Sequence, residues 1–146
     1  MLRTLVLLAS LLLAPWASAA AEPARFGDLI VYHNVFNSSF LQPEIAANAG
    51  LQRGPNQGVI NIAVQRQSNG KAQAVDAILK GEVRSLIGQP VPLQFKRIKE
   101  GDAIYFVANY SAAQRGVLLF KIDIQAAPGS IVHNLSFQQE FFPDDQ

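Results

Sequence analysis

Leu118-Leu119-Phe120-Lys121-Ile122-Asp123-Ile124 is the stretch that decides the fold. Leu118, Phe120, Ile122 and Ile124 alternate with Lys121 and Asp123. This is a period of two with one apolar and one wet face, the mark of a half-buried strand. The same pattern recurs outward from it. Upstream, Ile104, Phe106, Ala108 and Tyr110 share a face, and Val91, Leu93 and Phe95 alternate with Gln94 and Lys96. Val75, Ala77, Leu79 and Val83 alternate with Asp76, Lys80, Glu82 and Arg84. Ile60, Ile62 and Val64 form another face, and Leu29-Ile30-Val31-Tyr32 is a β-branched and aromatic run. Downstream, Leu135, Phe137 and Phe141 alternate with Ser136, Gln138 and Glu140.

Turn chemistry separates these runs at Gly27-Asp28, Ser68-Asn69-Gly70, Gly88-Gln89-Pro90, Glu100-Gly101-Asp102 and Pro128-Gly129. About seven short strands at near-regular spacing predict an all-β fold, an antiparallel immunoglobulin-like β-sandwich. Residues 72–86 also carry a helical pattern, through Val75, Ile78, Leu79 and Leu86. Gly81 in its middle costs about 1 kcal/mol in a helix, which favours the strand. Between Asn37 and Gln57 no strand pattern appears. A loop of that length is usually functional or holds an element of its own. Pro43 suits a first helical position, Glu44 the positive helix end and Gly50 a left-handed stop, so one short helix is expected after the first strand. Ile45 and Leu51 are expected to tuck against the end of the sandwich.

The N-terminus reads as an export signal over residues 1–19. Arg3 gives a positive start, an apolar run follows from Leu5 to Ala14, and Ala17-Ser18-Ala19 supplies the small residues of a cleavage site. The run stops at Pro15, short of the roughly 20 apolar residues of a spanning helix. Residues 20–146 are then expected to form a single periplasmic domain with no membrane span. No cysteine follows the apolar run to accept a lipid, and none occurs anywhere, which excludes thiol catalysis, thiolate metal sites and disulfides.

Charge excludes another class. Without Arg3, eleven basic residues face eleven acidic ones, and no basic run exceeds Lys96-Arg97 with Lys99. Nucleic acid therefore has no electrostatic footprint here. For catalysis, His33 and His133 are the sole histidines. No His-x-His, His-Glu-x-x-His or Gly-x-Ser-x-Gly motif accompanies them, and no catalytic residue, metal ligand or cofactor is assigned. A non-enzymatic binding or interaction module is the leading reading. Its candidate residues are Phe36, Asn37, Phe40, Arg53 and Asn56 of the long loop, an aromatic, amide and guanidinium mix suited to a peptide or small polar ligand, and a protein or peptide partner in the periplasm is expected. The competing explanation is that the phenylalanines plug the sandwich and the asparagines cap turns. Two alternatives stand beside it: a small hydrolase-type enzyme using His33 or His133, and a stabilising subunit of an envelope complex. The last strand, with Phe142 beyond it, is also a candidate edge for strand addition.

Several strings carry a family resemblance: Tyr32-His33-Asn34-Val35-Phe36-Asn37-Ser38-Ser39-Phe40-Leu41, then Pro43-Glu44-Ile45-Ala46, Ala49-Gly50-Leu51, Glu100-Gly101-Asp102-Ala103-Ile104-Tyr105-Phe106 and Ser136-Phe137-Gln138-Gln139-Glu140-Phe141-Phe142. Together they resemble an exported proteobacterial family, the domain of unknown function DUF4426. The resemblance implies a Gram-negative periplasmic setting and brings no catalytic residue with it.

Overall fold

The structure is a computed structural model and describes residues 22–144. The expected export signal lies outside the described residues. The expected sandwich is present as two antiparallel sheets. The first holds β1 (Ala24–Phe26), β2 (Leu29–Asn37), β3 (Gln57–Ser68), β8 (Ala103–Ser111) and β7 (Lys96–Glu100) in that order, with β4 (Lys71–Ala74) also on β3. The second runs β10 (Val132–Phe141), β9 (Gly116–Gln125), β5 (Ile78–Ser85), β6 (Val91–Leu93).

The apolar faces read from the sequence lie in the interlayer, except that Val91, at the start of its run, is exposed. Val31, Ile60, Ile62, Val64 and Ala108 from one sheet meet Phe120, Ile122 and Ile124 from the other, all essentially inaccessible. Aromatic rings link the layers. Phe120 stacks on Phe137 at 5.0 Å and meets Tyr110 edge-on at 5.3 Å. Burial of these apolar surfaces is the main driving force for the fold, at about 25 cal/mol per Å² removed from water.

Three short strands escape the sequence pattern, each for a physical reason. β1 has three residues, too few to show a period, and the Gly27-Asp28 turn folds it back on β2. The run over residues 71–85 is strand, as expected, but in two pieces. β4 closes a hairpin on β3 through Asn69 and Gly70, both at positive φ (53° and 75°), and β5 belongs to the other sheet. Between them Asp76 accepts from the Ala77 amide at 3.0 Å and pairs with Arg97 at 3.1 Å as the chain crosses. The run from Val91 divides likewise: β6 pairs with β5, and β7 pairs with β8 in the opposite sheet.

The helix is where the loop chemistry placed it. α1 (Pro43–Ala49) starts with Pro43 in its first turn and ends at Gly50, whose φ is 67°. The Gly50 carbonyl accepts from Lys96 Nζ. The helix does not tuck against the end of the sandwich, as the sequence suggested. It lies on the outer face of the first sheet, where Ala46 and Leu51 are buried against Val59 and Val107, with Phe36 and Tyr105 around them. Ile45, expected inside, points outward and is half exposed.

Candidate functional site

Alternation along β2 sends Val31, His33, Val35 and Asn37 toward the interlayer and Phe36 to the outer face. Phe36 is therefore part of the apolar seat beneath α1. Asn37, the last residue of β2, reaches from the first sheet to the chain leaving β10. Its Nδ2 donates to the Phe142 carbonyl at 2.7 Å and to Asp144 Oδ1 at 3.0 Å. Hydrogen bonds from Asn37 and Ser39 hold the Asp144 carboxyl below its ordinary range. The Asp144 amide in turn donates to the Pro55 carbonyl at 3.2 Å.

Immediately after Asn37 the chain makes a tight turn of 3-10 helix, Ser38–Phe40. Ser38 is fully buried. Its hydroxyl accepts from the Gly54 amide at 3.0 Å and donates to the Gly54 carbonyl at 3.1 Å, pinning the two ends of the long loop together. The turn projects Phe40 into solvent at 79 % exposure. Arg53 donates to the Ser39 carbonyl at 3.4 Å, so its guanidinium lies beside the same turn. Asn56 donates to the Ala112 and Ala113 carbonyls at 2.8 and 3.1 Å and fastens the loop between β8 and β9.

The five loop residues thus separate by role. Asn37 and Phe40 line a groove of about 470 Å³, Arg53 sits by the turn that carries Phe40, Phe36 contributes to the groove wall and to the seat of α1, and Asn56 secures the neighbouring loop. The far wall is Tyr110, Gln139, Glu140 and Phe142. Burial pushes the Tyr110 phenol up to about 12. Phe142 is capped by Arg115, whose guanidinium carbon lies 4.5 Å from the ring centroid and whose Nε pairs with Glu140 at 3.2 Å. Arg115, Tyr110 and Asp144 were not singled out from sequence, because their roles depend on strands brought together from separations of up to 107 residues. Asn109 clasps both backbone groups of Gln52 at 2.7 and 3.0 Å and so holds the far end of the loop.

A second groove, of about 540 Å³, opens on the other side of Arg115. It lies between Leu86, Ile87 and Val91 on one bank and the loop from Ala112 to Arg115 on the other. Ile87 is fully exposed.

The histidines take aromatic partners. His33 stacks on Phe137 at 4.3 Å, and burial lowers its pKa. His133 stacks on Phe26 at 4.8 Å. The rings sit on successive parts of the interlayer. Among the described residues no group of three or more His, Cys, Asp or Glu side chains is placed to hold a metal ion.

The family model for the domain of unknown function DUF4426 matches residues 23–144, which spans both sheets and the loop. The chain belongs to the DUF4426 family. A crystal structure of a DUF4426 family protein from Pseudomonas aeruginosa PAO1 is similar at 44 % identity and a TM-score of 0.73, covering 85 % of this chain and 96 % of that one. The fold extends beyond DUF4426. FetP of uropathogenic E. coli strain F11, expressed recombinantly in the periplasm, superposes with a TM-score of 0.62 at 11 % identity, covering 86 % of this chain and 96 % of its own. A copper-bound FetP variant matches equally, at 11 % identity and a TM-score of 0.62 over 85 % and 96 % of the two chains. At that identity the likeness is one of fold. No curated protein matches this DUF4426 chain.

Proposed function

We propose that this protein is a non-enzymatic binding module of the periplasm whose groove between β2 and the chain after β10 takes a segment of a protein partner. The observation that carries the reading is the pair of exposed aromatics, Phe40 and Phe142, on a groove whose backbone is fixed from both sides by Asn37 and Ser38. Rings held on a pre-set frame lose little entropy on binding and offer large contact area. Arg53 and Gln139 add polar contacts near its rim. Export is supported by the signal pattern of residues 1–19. A soft-ligand copper site is not carried over from the copper-bound FetP variant, because this sequence has no cysteine and its single methionine is Met1.

The test pairs Phe40→Ala and Arg53→Ala, each measured for thermal stability and for partner recovery from periplasmic extract. Stability should stay within about 0.5 kcal/mol, as for other exposed side chains, while recovery drops. Loss of folding with no separate effect on recovery sinks the reading. A second reading, a stabilising subunit of an envelope complex, is favoured by one observation: the exposed apolar bank of Leu86, Ile87 and Val91.

A further inference from the structure

A strand at the rim of a sheet presents unpaired backbone donors and acceptors, and proteins usually block such rims with charge, proline, bulges or brevity. Four of the rim strands here follow that rule. β1 has three residues with Arg25 at its centre, and β4 has four and begins at Lys71. β6 has three with Pro92 in the middle, and β7 is Lys-Arg-Ile-Lys-Glu.

β10 does not. It forms the rim of the second sheet with ten residues, Val132–Phe141, in unbroken register with β9 from Val132↔Gln125 to Phe141↔Gly116. It contains no lysine, arginine, proline or glycine and no bulge, and its one carboxylate, Glu140, is already paired with Arg115. Among the described residues none roofs it over sideways. The His133 ring stacks with Phe26 of β1 and Phe137 with His33 of β2, so the first sheet sits above β10 in the interlayer. Residues 32–37 of β2, beyond its pairing with β1, are likewise uncharged, but they form a shorter rim, and Asn37 is tied to the C-terminal chain.

We propose that β10 pairs with β10 of a second copy, antiparallel across a twofold axis, joining two four-stranded sheets into one of eight. The argument for a second copy is self-complementarity. A twofold interface sets a patch against itself, so any charge near the axis meets its like. From Val132 to Gln139 the strand has no carboxylate, lysine or arginine. With the axis at Ser136, opposed residues keep to the same face. Asn134 then lies opposite the partner's Gln138 on the outer face and Leu135 opposite the partner's Phe137 on the inner one. An axis at Phe137 instead asks two rings already stacked on His33 and Phe120 to accommodate each other. The interface centres on Ser136 and shares only Gln139 and Glu140 with the wall of the Phe40 groove; the substitutions at 134, 136 and 138 lie outside that lining, so failure of the dimer leaves the groove reading standing.

The experiment is sedimentation of the mature protein over a concentration series, with two charge variants, and oxidative crosslinking of two single-cysteine variants. Asn134→Lys with Gln138→Lys opposes lysine to lysine across the axis and should weaken dimerisation at least tenfold. Asn134→Lys with Gln138→Glu opposes lysine to glutamate and should restore it. Thermal melts of both report whether the monomer fold is kept. Ser136→Cys, in a chain otherwise free of cysteine, should form an oxidised dimer, whereas Asn69→Cys at the β3–β4 turn should not. A wild type that stays monomeric into the high micromolar range overturns the proposal. So does a dimer indifferent to the Lys/Lys pair, or equal crosslinking at positions 69 and 136.

Discussion

Two grooves open at the same end of the sandwich, where β2, β5, β8 and β10 finish, and they are made in opposite ways. The Phe40 groove is framed by hydrogen bonds: Asn37 to the chain after β10, and Ser38 to Gly54. The Leu86–Ile87 groove is framed by apolar surface, with Ile87 fully in solvent. Arg115 stands between them, on Phe142 and beside Glu140. The difference has an energetic meaning. A buried polar contact is expensive to leave unmade, so the first groove is held in one shape. Exposed apolar side chains impose no such geometry, so the second gains its shape from whatever covers it.

The largest expected effect attacks the wall of the first groove from behind. Gly58 pairs with Tyr110 across β3 and β8, and the phenol ring lies against it. A Cβ there would stand 2.0 Å from Tyr110 Cζ. Gly58→Ala should therefore cost about 3 kcal/mol, at the upper end of overpacking, read from urea denaturation, and should displace Tyr110 from the groove. A neutral result would mean that the wall yields as easily as the apolar bank does.

Next comes the fastening itself. Ser38→Ala leaves the Gly54 amide without its partner and takes one of two donors from the Gly54 carbonyl, which keeps the Gln57 amide. The expected loss is about 1–3 kcal/mol, with faster hydrogen exchange confined to residues 38–57. Global loosening of both sheets instead would show that the loop is part of the core rather than a mount for Phe40.

The smallest effect belongs to the second groove. Ile87→Ser should leave stability within about 0.5 kcal/mol and should reduce binding of a hydrophobic dye. A loss comparable to that of Ser38→Ala would erase the distinction between the two grooves.

Much of the fold was legible from spacing alone. The inward faces of β3, β8 and β9 follow directly from alternation, and α1 begins and ends at the proline and glycine that its loop advertised. Strand partnership was less visible. Alternation runs on through Val75 and again past Leu93 while the chain changes sheets, because a period of two records which face is dry and not which neighbour supplies the hydrogen bonds. The candidate site was legible as a loop with unusual residues. Its division of labour was not, since Phe36 and Phe40 are four apart in sequence yet one seats a helix and the other meets solvent.

By itself, then, the sequence determined the layered β architecture, the short helix and the absence of thiol chemistry, because periodicity, capping residues and composition are local properties. Only the tertiary structure decided that Asn37 ties β2 to the end of β10, that both histidines are stacked on phenylalanines, and that β10 stands at an unguarded rim. Those are contacts between segments as much as a hundred residues apart. They are selected by which apolar faces can be buried together, a choice that no single stretch of sequence contains.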